Sequence, residues 1–254
     1  MWFRSDPILW TGIGMNTATT PALVLRTRTE SEALKAAFLC ARPKRGKAVT
    51  DWHFYEPAQG HSLRHDPLNA IVAPRPIGWI STVSNDGVRN LAPYSFFNLF
   101  SYKPPIVGFC SLGAKDSLAN ARDTGEFVWN LATRELAEAM NASAAMVPAH
   151  VDEFELAKLE TLPSAKVRPS RVAASPVQFE CVVSQIVQLE AQGGAALPAW
   201  LVLGEAVAIH IDRQLIKDGV YQTAQARPIL RGGGPADYFE IGAGQLFTLE
   251  RPGD

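Results

Sequence analysis

The chain has 254 residues, a formal net charge of −1 and 47% hydrophobic residues, an ordinary composition for a globular protein with a large core. The near-neutral charge argues against broad nucleic-acid binding, and the absence of a long uncharged apolar stretch argues against a membrane span. Three widely spaced cysteines, Cys40, Cys110 and Cys181, form no C-x-x-C pair. We interpret them as reduced thiols of a cytoplasmic protein without a secretory signal.

The near-neutral total hides a basic N-terminal segment. Residues 1–50 contain eight lysines and arginines but three acidic residues, a net charge of +5, and they lack sustained helical or strand periodicity apart from a possible short helix near Ser31–Leu39. The basic run Arg42–Lys47 allows a targeting or nucleic-acid signal. We favour a disordered basic extension over residues 1–52, followed by a single domain over residues 53–254.

The first predicted elements form a hairpin. Ile77–Ser84 is apolar and β-branched, which predicts a strand, and Asn85-Asp86-Gly87 supplies the residues of a tight turn. The return strand runs through Val88–Leu91 to Phe97. Because proline cannot donate a ladder hydrogen bond, we expect this strand to bulge or to lie at a sheet edge near Pro93.

The remaining elements are mostly strands. After the break at Lys103-Pro104-Pro105, we predict the elements in this order: a strand at Ile106–Ser111, a helix capped by Asp116 or Ser117 and ending near Gly125, a strand at Glu126–Leu131, a helix from Thr133 to about Ala145, and long strands at Val177–Leu189 and Trp200–Ile211. Gly193-Gly194 lies in the loop that joins the last two. Strands joined by hairpins favour an antiparallel barrel over a doubly wound sheet.

Several common site motifs are absent from the sequence. There is no G-x-G-x-x-G after a strand, no Walker A lysine motif, no H-E-x-x-H and no G-x-S-x-G. His53, His61 and His65 are close in sequence, but their spacing lacks a helix to align them, so we predict a solvated loop and no metal site. His150, with the neighbouring Asp152 and Glu153, is interpreted as a solvated turn.

Three features suit an anionic aromatic ligand. Pro74-Arg75-Pro76 leads into the first strand, which carries Ser81 and Thr82. The segment Asn90–Asn98 has a proline that interrupts strand pairing and frees backbone groups for a ligand edge. The segment Gly113–Ser117 offers a lysine, a hydroxyl and helix N-terminal amides to a phosphate.

The same segments resemble a known family. Ala73–Asn98, Lys103–Ser111, Lys115–Thr133 and Gly204–Asp212 are similar in sequence and order to the flavin reductase-like, FMN-binding split-barrel family, and more narrowly to its branch that includes the flavoredoxins. The resemblance implies a mainly β fold, an antiparallel FMN-binding split β-barrel with a few short helices. It further implies a homodimer with non-covalent flavin mononucleotide (FMN) in a cleft near the subunit interface.

The resemblance also implies which residues bind FMN. Thr82 and the segment Asn90–Asn98 would line the ring and the ribityl chain, while Ser111, Lys115 and Ser117, with Asn120 and Arg75, would hold the phosphate. Arg231-Gly232-Gly233-Gly234 and Tyr238 resemble a late glycine-rich segment that approaches the flavin. The full set of cofactor-binding residues is Arg75, Thr82, Asn90, Ala92, Pro93, Tyr94, Ser95, Phe96, Phe97, Asn98, Ser111, Lys115, Ser117 and Asn120.

The implied activity is that of an NAD(P)H-dependent flavin reductase. Hydride transfer to a flavin needs binding, orientation and water exclusion but no protein nucleophile, so no catalytic residue is assigned. NADH or NADPH would be the co-substrate, and electrons would pass to a flavin, to oxygen or to a partner oxygenase. Two alternatives stay open: an FMN-binding electron carrier, and a non-enzymatic flavin-binding protein without rapid NAD(P)H turnover.

Overall fold

The computed structural model describes residues 51–252, and a compact unit begins at Tyr55. The predicted basic extension therefore lies outside the described residues except for positions 51 and 52, as do Cys40 and the short helix near residues 31–39. Within the described part of the chain, no helix is long and apolar enough to cross a membrane.

The described residues form fourteen strands and four short α-helices. The strands are β1 (Arg75–Pro76), β2 (Gly78–Val83), β3 (Arg89–Tyr94), β4 (Phe97–Tyr102), β5 (Pro105–Leu112), β6 (Glu126–Asn130), β7 (Thr161–Leu162), β8 (Arg171–Val172), β9 (Val177–Glu190), β10 (Ala196–Ile211), β11 (Ile216–Lys217), β12 (Val220–Tyr221), β13 (Ile229–Arg231) and β14 (Tyr238–Glu240). The helices are α1 (Leu68–Ile71), α2 (Asp116–Thr124), α3 (Ala137–Ala142) and α4 (Glu153–Leu156).

Seven strands form one antiparallel sheet that must curl on itself. Its order is β3-β2-β6-β9-β10-β5-β4, so the two edge strands, β3 and β4, are consecutive in the chain. Only Ser95 and Phe96 join them, and the Cys110 amide of β5 donates a hydrogen bond to the Phe96 carbonyl, which extends the β4–β5 pairing into this link. A two-residue link cannot connect opposite edges of an open seven-stranded sheet. The sheet is therefore a barrel split between β3 and β4, which confirms the predicted fold class.

Apolar side chains fill the barrel and one outer layer. Ile80, Phe109, Phe127 and Val202 are buried inside the barrel. Gly204 lies against the Phe127 ring, where a Cβ atom would come within 2.3 Å, so only glycine allows this strand to pass the ring. A second cluster, centred on Trp79, Leu91, Met140 and Phe154, packs α3 and α4 onto the outside of β2 and β3. Each large side chain fully buried in this way contributes about 1.5–3 kcal/mol.

The predicted strands at the barrel centre are confirmed, but three local predictions need refinement. Pro93 pairs with Trp79 in regular register, so of the two expected outcomes the structure has the edge position, in β3, and no bulge. The return strand does not continue to Phe97 as a single element, because the chain bends at Ser95 and Phe96 and starts the new strand β4. That strand was not predicted.

The predicted helix starts were wrong. Lys115, not Asp116 or Ser117, is the N-cap residue of α2, whereas the predicted end at Gly125, in the left-handed conformation, is confirmed. The helix expected from Thr133 begins only at Ala137 and ends at Ala142. Thr133 instead forms a β-bridge with Pro228, which withdraws its backbone from the helix.

Candidate functional site

The start of α2 presents positive charge and unpaired donors beside a buried tyrosine. The strand β5 delivers the chain to Gly113, whose positive φ of 89° turns it toward the helix. Lys115 at the N-cap is exposed, and its Nζ lies 6.0 Å from the centroid of the Tyr94 ring. Its side chain makes no cap hydrogen bond, and the backbone amides in the first turn of a helix can in general bind an anion.

Tyr94 supplies the unusual feature of this region. Its ring packs on Phe109 at a centroid distance of 4.7 Å, and its phenolic oxygen is buried without a hydrogen-bond partner among the described residues. Burial raises the pKa of the Tyr94 phenol, and the nearby Ser117 and Ser111 hydroxyls oppose that rise without reaching hydrogen-bond geometry. Because a buried unpaired donor costs about 1–3 kcal/mol, this hydroxyl is poised to donate to an acceptor.

A network of buried side chains lies behind the helix start. The Ser117 hydroxyl donates to Asn90 Oδ1 at 2.7 Å, and the Thr82 hydroxyl donates to the same oxygen at 3.2 Å. Asn120 Nδ2 in turn donates to Thr82 Oγ1 at 3.1 Å. Thr82 and Ser117 are each 1% exposed. Their hydroxyl protons are therefore already used inside the protein.

Glu153 fixes the orientation of this network. One carboxylate oxygen accepts a 3.0 Å hydrogen bond from Asn90 Nδ2, and the other accepts a 3.0 Å bond from the Leu91 amide. Since Nδ2 of Asn90 faces the carboxylate, its Oδ1 must face Ser117 and Thr82. Burial raises the Glu153 pKa, which the Leu91 amide and Asn90 partly offset.

Glu153 was missed by the sequence analysis, which predicted a solvated turn around His150. The side chain is 5% exposed, because α4 packs Phe154 into the outer core and carries Glu153 with it. Asp152 is the N-cap of α4 and also pairs with Arg89 at 2.5 Å. A signal did exist in the sequence: an aspartate cap before an apolar Phe-x-Leu pattern predicts a short packed helix.

A cleft of about 670 Å³ lies next to the Ser95–Phe96 link, which forms part of its lining. Its walls come from α1 and the loop before it, from the link between β3 and β4, and from the segment after β13. The lining residues are His65, Asp66, Pro67, Asn69, Ala70, Arg75, Ser95, Phe96, Leu112, Arg231, Gly232, Gly233, Gly234, Pro235 and Asp237. His65 and Asp66, predicted in a solvated loop, thus contribute to a concave surface.

A second cleft of about 450 Å³ shares Arg75, Ser95 and Phe96 with the first. Phe97 and Asn98 also line it. The Phe96 side chain is exposed, and the Arg75 guanidinium lies over its ring at 5.5 Å from the centroid. The link residues and Arg75 therefore form the partition between two adjoining hollows.

The predicted site residues thus fall into separate groups. Tyr94, Lys115, Ser111 and Ser117 surround the helix start, and Ser111 is fully buried with its hydroxyl donating to the Gly113 carbonyl at 2.9 Å. Thr82, Asn90 and Asn120 belong to the buried network. Arg75 and Ser95 to Asn98 line the clefts, while Ala92 and Pro93 lie partly exposed on the edge strand. Within residues 51–252, no three His, Cys, Asp or Glu side chains group as metal ligands would.

The curled antiparallel sheet, split between β3 and β4, has the split-barrel fold. Residues 72–230 match the flavin reductase like domain, and the chain belongs to that family. The family places it among flavin-related oxidoreductases.

Relatives extend over most of the chain. An uncharacterized protein of Halalkalibacterium halodurans is 34% identical over 191 residues, which cover 73% of this chain and 89% of that protein. Nitrilotriacetate monooxygenase component B from Bacillus cereus superposes with a TM-score of 0.65 at 29% identity, over 72% of this chain and 91% of that one. Flavoredoxin of Desulfovibrio vulgaris (Miyazaki F) shares the fold, with a TM-score of 0.63 at 17% identity over 76% and 97% of the two chains.

Proposed function

We propose that this protein is an NAD(P)H-dependent flavin reductase that binds FMN non-covalently, with the phosphate at the start of α2. The observation that carries the proposal is the pairing of an exposed lysine with a buried, unpartnered phenol at that helix start. Membership of the flavin reductase like family supports the cofactor class.

The residues around Lys115 fit a phosphate. Lys115 supplies the charge, and the helix N-terminal amides supply directed donors. The Tyr94 hydroxyl has a proton to donate and no protein acceptor among the described residues. Ser117 fits less directly than the sequence resemblance implied, because its hydroxyl already donates a hydrogen bond to Asn90 Oδ1. It would keep Asn90 and the helix start in place behind the phosphate.

The link between β3 and β4 fits a flat polar ring. Ser95 and Phe96 lie between two edge strands, and although the Phe96 carbonyl accepts from the Cys110 amide, the remaining backbone groups of the link are outside the strand pairing and could contact a ligand. Phe96 and Arg75 form a wall on which an aromatic ring can stack. Bound FMN would supply the hydride-accepting centre. The protein's part is then to bind and orient both partners and to keep water away.

We further propose that the active form is a cytoplasmic homodimer. The strands β9 and β10 carry several exposed apolar side chains: Val182, Val187, Leu189, Leu197, Val207, Ile209 and Ile211. Exposed apolar side chains on a sheet face of this kind are typical of an interface between copies of a chain.

The proposed electron acceptor is a flavin, oxygen or a partner oxygenase. The similarity to nitrilotriacetate monooxygenase component B supports a partner oxygenase, because that protein is named as one component of a monooxygenase. Reduced flavin leaving through the open clefts would serve any of the three acceptors.

Anaerobic stopped-flow measurements test the proposed activity. FMN-loaded protein mixed with NADH or NADPH should lose the flavin absorption band within seconds. Rapid FMN binding without bleaching by either nucleotide would instead identify an electron carrier or a non-enzymatic flavin-binding protein. Protein that binds no FMN, judged by unchanged tryptophan fluorescence and a colourless preparation, would overturn the cofactor assignment.

A further inference from the structure

Two arginines face each other across a short pair of strands. Arg75 in β1 and Arg231 in β13 are direct partners in the antiparallel register. Directly paired residues place their side chains on the same face, and both line the larger cleft. Two guanidinium groups therefore stand side by side at one wall of a solvent-accessible hollow.

Neither arginine is held in an ion pair by the described residues, although the carboxylates of Asp66 and Asp237 also line the cleft. None of the ion pairs formed within residues 51–252 includes Arg75 or Arg231. Arg75 Nη1 donates to the Asn69 and Val72 carbonyls, and Arg231 donates to the Pro235 and Asp237 carbonyls at 2.8 and 3.1 Å. These bonds orient the guanidinium groups but leave their charge in place.

Arg75 carries an additional unmet requirement. It is only 9% exposed, and its Nε is buried without a hydrogen-bond partner. Burial, and then the neighbouring charge of Arg231, lower the pKa of Arg75. Two like charges held together are costly in the free protein, and an anion between them would relieve that cost.

The geometry around the pair is fixed before any ligand arrives. The Arg75 guanidinium lies over the Phe96 ring, and that of Arg231 lies 4.9 Å from the centroid of the Tyr238 ring. Gly233, which also lines the cleft, packs so tightly that a Cβ atom there would come within 2.0 Å of Ala70. Flat, stacked guanidinium groups are preorganised for bidentate contact with phosphate oxygens.

We propose that Arg75 and Arg231 bind a phosphate group of the nicotinamide nucleotide that reduces the flavin. The inference rests on the proposed function, which assigns the FMN phosphate to the start of α2. The residues that form that helix start, Tyr94, Ser111, Lys115 and Ser117, do not line the arginine cleft, so each phosphate has its own set of donors. Asp237, which lines the cleft, is exposed, and so is the neighbouring Tyr238. The cleft is therefore open to solvent, as a substrate that exchanges in every cycle requires.

Equilibrium binding to the FMN-loaded protein tests the inference without turnover. NAD⁺ and NADP⁺ serve as unreactive probes, and the perturbation of the flavin absorption spectrum reports their binding. Arg231→Ala should weaken the preferred nucleotide about tenfold to a hundredfold, as expected for loss of a charge-assisted contact. Arg231→Lys should recover part of the loss, and Arg213→Ala, at an exposed arginine outside the cleft, should have no effect.

The pattern of effects identifies the phosphate. Equal weakening of NAD⁺ and NADP⁺ assigns the pair to the pyrophosphate, and weakening of NADP⁺ alone assigns it to the ribose phosphate. Either result supports the inference. If Arg231→Ala does not fold, Arg231→Gln keeps the length of the side chain without its charge and takes its place in the comparison.

Two results would overturn the inference and leave the flavin reductase proposal standing. One is unchanged nucleotide binding in a folded, FMN-loaded Arg231→Ala protein. The other is weakened binding of FMN with riboflavin unaffected, which would give the pair to the FMN phosphate. Failure of the wild-type protein to bind either nucleotide or to be reduced by one would refute the proposed function itself, and the inference with it.

Discussion

The two polar regions beside the barrel seam meet their hydrogen-bonding needs in opposite ways. Behind the start of α2, Glu153, Asn90, Thr82 and Ser117 satisfy one another, and only the Tyr94 hydroxyl is left over. In the cleft, Arg75 and Arg231 share one wall without a carboxylate within ion-pair distance among the described residues. A satisfied network fixes geometry, whereas uncompensated charge supplies binding free energy. We therefore expect the network behind α2 to be stable without a ligand, and the arginine pair to be stabilised more when a ligand binds.

The largest effect that separates the two regions is expected for Lys115→Ala. This lysine is the exposed charge at the helix start, so its removal should weaken FMN binding about tenfold to a hundredfold. Riboflavin, which has no phosphate, should bind within about twofold of wild type. Fluorescence titration with both flavins measures the two affinities, and Lys217→Ala at an exposed lysine outside the site is the control. Equal losses for the two flavins would show that Lys115 does not contact the phosphate.

Glu153→Gln should act through the buried network and change its pH dependence. Burial raises the Glu153 pKa, so the folded protein holds this proton more tightly than the unfolded chain does. The wild-type free energy of unfolding should then fall as the pH rises from the ordinary glutamate pKa of about 4.3 through the raised value. Glu153→Gln should remove that decline.

Chemical denaturation of both proteins over this pH range measures the difference in unfolding free energy. The variant should be relatively least stable at the acid end and should gain on wild type as the pH rises. A constant difference would mean that Glu153 does not titrate differently in the folded protein. In the variant, the glutamine NH2 group can donate a hydrogen bond to Asn90, which favours the flipped orientation of the Asn90 amide. The Ser117 hydroxyl would then no longer donate to Asn90 Oδ1 and could donate to the ligand, which should tighten FMN binding slightly.

Ser117→Ala is expected to have a smaller effect, mainly on stability. The hydroxyl proton is used by Asn90, so its loss should cost about 1 kcal/mol of unfolding free energy. FMN affinity should change less than about threefold, because one ordinary hydrogen bond is lost behind the phosphate and not to it. Thermal melts of the apo protein and FMN titrations separate the two outcomes. A loss as large as that of Lys115→Ala would place Ser117 in direct contact with the phosphate.

Removal of residues 1–50 should have the smallest effect. The segment lacks core periodicity in the sequence, and every residue of both polar regions lies within residues 51–252. We expect FMN affinity to be unchanged and the melting temperature to shift by less than about 2 °C. A shift of several degrees would show that the N-terminal segment packs on the domain.

The long strands could be predicted from sequence because burial leaves a local signal. The apolar runs in β2, β5, β9 and β10 are read correctly from β-branched and aromatic residues alone. The strand β4 was missed because Asn98 and Ser101 interrupt its apolar pattern and because an edge strand is half exposed. The prediction of a helix start at Thr133 was wrong because Thr133 pairs with Pro228, which is distant in sequence, and this pairing overrides the local capping preference of threonine.

Only part of the candidate site could be predicted, because the rest depends on contacts between residues that are distant in sequence. The lysine and serine of the helix start are neighbours in sequence, so their juxtaposition could be anticipated. The Asp152 cap and the apolar residues after it indicate the short helix, but the burial of the Glu153 carboxylate depends on donors from Asn90 and Leu91 in β3, which no local pattern shows. The facing of Arg75 and Arg231 depends on a β1–β13 register that joins opposite ends of the domain. Long-range pairing, and not composition, creates both features.

The two-residue link between β3 and β4 has a consequence for slow motions of the barrel. Each of these strands has a neighbour in the seven-stranded sheet on one side only, so local opening should begin there and expose their amides to exchange with solvent. A ligand that contacts Ser95 and Phe96 bridges both edges and adds its binding free energy to the cost of that opening. Amide protons of β3 and β4 should therefore exchange more slowly as the site is filled, while those of the central strand β9 keep their rate.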